Sequence, residues 1–170
     1  MSGLNSKVSI AENVIAVITH ADGSKTIRRG KNIITDAGDV YYAQRACTET
    51  PTNTFANLYL GSTAVPSTGK ASTYASHTPI ASTSKAKASG YPKSNDNDAN
   101  NLDAAADVIS WKFAYTANEF TASSVTELVV AKAAASGTDP VLSHAAFSPA
   151  FAVTAADVLT VFLNHTVTGA

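Results

Sequence analysis

The run DNDANNLDAAAD, from Asp96 to Asp107, gathers the side chains of this chain best suited to holding a metal ion. Asp96, Asp98 and Asn100 match the first three ligand positions of a calcium loop, and Asp107 falls at the twelfth. Two departures weaken the match. Asn101 stands where the turn needs glycine, and the last ligand is Asp where a bidentate Glu belongs, with no helices indicated on either side. A plain solvated turn is the stronger reading. Nucleophilic catalysis has less to build on. There is no Gly-x-Ser-x-Gly elbow, Cys47 has no signature around it, and the four histidines, His20, His77, His144 and His165, lack ligand spacing. A chain this rich in serine can always supply a Ser–His–Asp set, so its availability carries no weight. His144 and His165 fall in strand-like stretches and read as ordinary surface or sheet residues. The residues thus predict no enzyme, no metal and no cofactor.

Two other groups suit partner contact. Lys25, Arg28, Arg29 and Lys31 form a basic patch on one hairpin strand, with no interleaved aromatics of the kind that stack on bases. Tyr74 and Tyr91 are the aromatics of a long polar stretch, and so the candidates for a glycan-binding surface. Overall charge is -1, with 15% charged residues, which gives no push toward nucleic acid or membrane. The charge is uneven, however. Residues 1–93 hold ten Lys or Arg and five Asp or Glu, whereas residues 94–170 hold two and eight. Copies packed head to tail would match the two signs.

The elements that must position these groups read mostly as strands. VIAVITH, the Asp22-Gly23 turn and KTIRR make a hairpin over about residues 8–30. A short helix follows at about 35–47, with Thr35-Asp36 as its cap and Ala37, Val40, Tyr41 and Cys47 near helical spacing. Gly38 sits awkwardly inside that run. FANLYLG reads as a strand. Then, over about 62–103, large apolar residues become too sparse to offset ordering entropy, and the segment reads as a long arm held in place by neighbouring chains. On that reading, deleting Lys70 to Asp98 leaves a folded domain.

The last third alternates strictly. Ile109, Trp111, Phe113 and Tyr115 share one face of VISWKFAYT, opposite Ser110, Lys112 and Thr116. SVTELVVA and PVLSHAAF follow, with Pro149 interrupting before AFAV. In DVLTVFLNHTV, Leu159, Val161, Leu163 and Val167 oppose Thr160, Phe162, Asn164 and Thr166. The expectation is one all-β domain over 1–170, an antiparallel β-sandwich or jelly roll with one short helix near the N-terminus and a long ordered arm. A lone cysteine points to a reducing compartment, and neither a secretory segment nor a membrane span is expected. Asn164-His165-Thr166 fits a glycosylation pattern that matters only on a secretory route.

KNIITDAGDVYYAQRA, FANLYLGSTAVPSTGKAST, GYPKSNDND and VISWKFAYTANEFTASSVTELVVA together resemble virion structural proteins of tailed bacteriophages. The likeness spans most of Lys31 to Val167 and brings no catalytic residue. It implies a part of the virion made in the host bacterial cytoplasm. A compact all-β chain with a long arm and no repetitive shaft suits a capsid decoration, or cement, protein. Such a protein clamps adjacent major capsid protein subunits, contacts other copies of itself, as in a trimer, and binds neither nucleic acid nor membrane. The rival classes are a tail, fibre or baseplate component and a glycan-binding receptor module.

Overall fold

In the computed structural model, which describes residues 8–169 and the side chains of residues 13–166, the chain is mostly strand with one α-helix. The strands are β1 Val8–Thr19, β2 Lys25–Ile34, β3 Asn57–Gly61, β4 Lys85–Ala86, β5 Lys93–Ser94, β6 Val108–Tyr115, β7 Ala122–Ala131, β8 Val141–Val153 and β9 Val158–Gly169. All nine join in a single antiparallel sheet in the order β4-β3-β7-β8-β2-β1-β9-β6-β5. The sheet curls, and residues beyond β4 tie its two sides together. Lys87 donates its N–H to the Ala56 carbonyl beside β3, and Ala88 donates to Lys112 of β6, both at 2.8 Å.

The turn and strand chemistry accounts for this. Gly23 sits at φ +83°, which the tight β1–β2 turn requires and a side chain disfavours. The alternation of β6 and β9 places Trp111, Phe113, Tyr115, Leu159, Val161 and Leu163 inside, with Val14, Ala16 and Ile18 of β1. The Val167 side chain lies outside the described residues. Pro149 does not break β8. Lacking an N–H, it coincides with the end of the ladder to β2, whose last pair is Gly30 with Phe147.

The helix, α1 Asp36–Ala46, is capped as expected: the Thr35 hydroxyl accepts from the Gly38 N–H at 3.1 Å, with Asp36 and Asp39 in the first turn. Its buried stripe differs from the sequence reading. Val40 is 49% exposed and Cys47 is exposed, while Gly38 and Tyr41 face inward. Gly38 sets this rotation, because a Cβ there would lie 2.2 Å from the Leu142 carbonyl oxygen and 2.6 Å from Ile34. The residue that weakens the helix by propensity is what lets it seat. At an exposed helix position Gly→Ala gains roughly 0.5–1 kcal/mol. Gly38→Ala is expected instead to cost about 1–3 kcal/mol through overpacking, read as a lower urea midpoint. The sign alone decides, and a stabilised variant would show that α1 is not wedged on β8.

The polar middle of the chain folds back over its own sheet. Residues 62–83 lie across β3, β7 and β8, and residues 95–107 cross β1 and β9, tied at both ends. Asp103 pairs with Arg29 and Asn100 accepts from Lys25 on β2, while Asp98 binds Lys112 on β6 at 2.5 Å. Beneath, Ile15, Val17 and Phe162 form an apolar cluster on the outer face, so Phe162 is fully buried although its neighbours in β9 alternate as polar. The sequence reading did not expect these contacts within the chain. Within the chain the segment is held by hydrogen bonds to the sheet beneath it, together with Ile80 and Tyr74 packed on the apolar clusters. Deleting Lys70 to Asp98 is therefore expected to destabilise the domain, because it removes the closing bonds of Lys87 and Ala88 and the Asp98–Lys112 pair.

Candidate partner-contact surface

Three buried polar clusters fasten these layers. In the first, Glu127 of β7 and His144 of β8 are both fully buried, with Glu127 Oε2 2.8 Å from His144 Nε2. The other carboxylate oxygen accepts the N–H groups of Thr63 and Thr78 at 3.2 Å, and His144 Nδ1 lies 3.0 Å from the Ser72 hydroxyl. Burial pushes the Glu127 carboxyl up, but hydrogen bonds from His144, Thr63 and Thr78 outweigh it and hold it below its ordinary value. The order Ser–His–Glu is that of a nucleophilic relay. Here Glu127 also accepts two backbone donors and Ser72 accepts from Gly69, which ties residues 63–78 to β7 and β8. His77 lies beside it, buried, its Nδ1 2.5 Å from the Tyr74 carbonyl, and desolvation holds its pKa down.

The second cluster lies under residues 91–101. Asp96 accepts from the Tyr91 hydroxyl at 2.9 Å and from Asn101 at 2.9 Å, and pairs with Lys93 at 3.0 Å. Asn101 and Asn164 exchange amide hydrogen bonds of 2.7 and 3.1 Å, and Ser110 donates to Asn164 at 2.8 Å. Burial raises the Asp96 pKa, yet the donors Asn101, Lys93 and Tyr91 win and hold it at about 2. The third cluster sits between α1 and the sheet. His165, fully buried, lies 2.8 Å from the Asn32 amide and 2.6 Å from the Tyr42 hydroxyl, which also accepts from Trp111 Nε1 at 2.8 Å. Burial holds the His165 imidazole down at about 3, so it stays neutral.

These positions settle several sequence readings. Asp96 and Asp98 turn inward onto Lys93 and Lys112, and the turn they form is bonded rather than solvated. Among the described residues no three His, Cys, Asp or Glu side chains converge on a common point. His144 and His165 are core residues, and Asn164 is buried in its amide pair, out of reach of modification. Tyr91 is only 8% exposed because its hydroxyl is spent on Asp96, so it is not a surface contact. Tyr74 is half-buried, edge-on to Tyr59 and His77. The charge asymmetry is used within the chain: Arg29 pairs with Asp103, Lys85 with Glu119 and Lys93 with Asp96.

The basic strand stays on the surface. Antiparallel alternation puts Lys25, Ile27, Arg29 and Lys31 on the outer face of β2 and Arg28 on the inner one, level with Ala16 of the core. Lys25 reaches Asn100 and Arg29 reaches Asp103, while Lys31 is exposed. Ile27 is 42% exposed, and Leu102, between the residues that bind Lys25 and Arg29, is 53% exposed. The basic patch thus carries two apolar side chains that the charges alone did not suggest. Compared with known proteins, the chain matches no family model, no curated protein and no solved structure.

Proposed function

We propose that this chain is a non-enzymatic structural protein of a bacteriophage virion, and specifically a capsid decoration protein that clamps adjacent capsid subunits. The observation that carries the reading is the placing of the buried polar clusters. Glu127 with His144 and Ser72, Asp96 with Asn101 and Asn164, and His165 with Asn32 and Tyr42 each join separate segments of the chain. Polar groups spent in this way stiffen a body, and a body that works through contact area gains from entering the complex already ordered. Stiffening of this kind, together with the likeness of the stretches between Lys31 and Val167, supports the reading. In fold terms the curled sheet serves as the jelly-roll-like shell, with its closed core as the rigid base. Binding only to the assembled state would stabilise that state by mass action.

The test is to add the recombinant chain to purified phage heads that lack it and count bound copies after sedimentation. Saturation at hundreds of copies per particle, with heads that resist heating better, is the expected result. Saturation at a handful of copies would move the assignment to the tail or baseplate, and an absence of binding would end it.

A further inference from the structure

Strand β2 is paired on both sides only along part of its length. At Gly30 and Lys31 it lies between β1 and β8, and from Asn32 to Ile34 it pairs with β8, but from Lys25 to Arg29 it pairs with β1 alone, because its ladder to β8 stops at Gly30 with Phe147. The His20 N–H to Ser24 carbonyl bond at the turn fixes the alternation that follows. Lys25, Ile27 and Arg29 accordingly point their backbone N–H and C=O groups away from β1, toward the open side. The Arg28 guanidinium confirms this direction, since its Nη1 donates to the Ile27 carbonyl at 3.2 Å. An edge of this kind is a template for another strand unless something blunts it.

The side chains around the edge say which strand. Lys25, Arg29 and Lys31 lie on the outer face with Ile27 between the first two, and the Nε of Arg28 on the inner face is buried without a hydrogen-bond partner. A second copy pairing antiparallel across this edge would set Lys25 against Arg29, a like-charge juxtaposition that destabilises a sheet. A strand with acids opposite Lys25 and Arg29 and an apolar residue opposite Ile27 would match these side chains, taking over the Ile27 carbonyl from Arg28 and sharing Arg29 with Asp103, and the released Arg28 guanidinium would pair with a carboxylate of the incoming strand.

We propose that the Lys25–Arg29 edge of β2 docks an extended acidic segment of a partner protein, which joins the sheet as an additional strand. The proposal rests on the reading of this chain as one that works by protein contact, and deepens it by naming the contact.

The experiment uses the full chain and a fluorescein-labelled peptide, TETVTETVTE, with a Lys-for-Glu peptide as control, followed by fluorescence anisotropy at physiological salt. Saturable binding of the acidic peptide alone is expected. Ile27→Pro removes an outward N–H without touching the β1 ladder, and is expected to weaken binding about tenfold or more. The exposed pair Lys25→Glu with Lys31→Glu, which leaves the backbone edge intact, is expected to do the same by charge. Three results would each overturn the proposal. One is no saturable binding of the acidic peptide, and another is unchanged binding by Ile27→Pro. The third is a free chain that self-associates through this edge and becomes monomeric on that substitution. Because the peptide is measured on the free chain, particle occupancy with no peptide binding sinks this proposal alone, whereas peptide binding with no particle occupancy sinks the virion assignment.

Discussion

Replacing Glu127 with alanine is expected to cost about 3–5 kcal/mol, the sum expected when buried donors lose their acceptor at roughly 1–3 kcal/mol each. The reason lies in what stays behind. His144 loses the acceptor of its Nε2, and the N–H groups of Thr63 and Thr78 lose theirs, all beneath residues 63–78. Each orphaned donor brings its own desolvation cost. For a chain of this size that loss corresponds to roughly 10 °C in unfolding temperature. The double variant Glu127→Ala with His144→Ala should lose less than the sum of the two single losses, because the pair is spent once. Urea midpoints for the four proteins measure that coupling. A Glu127→Ala protein as stable as wild type would mean that Glu127 does not hold residues 63–78 to the sheet.

The sequence made part of this legible and hid the rest, for physical reasons. The β1–β2 hairpin, the Thr35 cap and the alternation of β6 and β9 rest on local rules, turn geometry, capping and period two, and all stand as read. The clusters were hidden because a polar residue in a strand reads as facing water. Glu127 precedes the apolar run LVVA, and His144 stands inside VLSHAAF, so each interrupts a stretch that is apolar on both faces. That interruption is the signal for a covered outer face, and Phe162, apolar among the polar residues opposite the Leu159–Leu163 stripe, is another. The contacts of the segment from 62 to 103 with its own sheet were not foreseen because its composition was judged by apolar area. Within the chain it is held by hydrogen bonds to partners far along the sequence, such as Asn101 to Asn164 and Ser72 to His144. Such pairings leave no periodicity. The partner surface was half legible: the four basic residues were visible, but not that Arg28 faces inward, nor that Pro149 marks where β2 loses its second neighbour.

Acid should unfold this protein from a higher pH than its carboxylates alone would dictate. His165 is held at about 3 by burial, against an ordinary value of 6.5. Between those values the unfolded chain takes up a proton that the folded one refuses, so stability is full above pH 6.5 and falls as the pH drops toward 3. The slope from one such group cannot exceed about 1.4 kcal/mol per pH unit. His77, lowered from the same ordinary value by desolvation, adds in the same direction. Asp96 acts later: its carboxyl, ordinarily 3.8, sits at about 2, so its contribution is complete above the first value and is lost as the pH falls toward the second. Glu127, also held below its ordinary 4.5, follows the same sense. Two stages are expected when urea midpoints are plotted against pH, a shallow decline from about pH 6.5 and a steeper one below about 4. His165→Gln retains an amide able to bond Asn32 or Tyr42 and removes the titration, so it should be less stable at neutral pH yet decline more gently between pH 6.5 and 4. Parallel curves for wild type and variant across that interval would mean that His165 takes up its proton in the folded state, and that the layer beneath α1 is open to water.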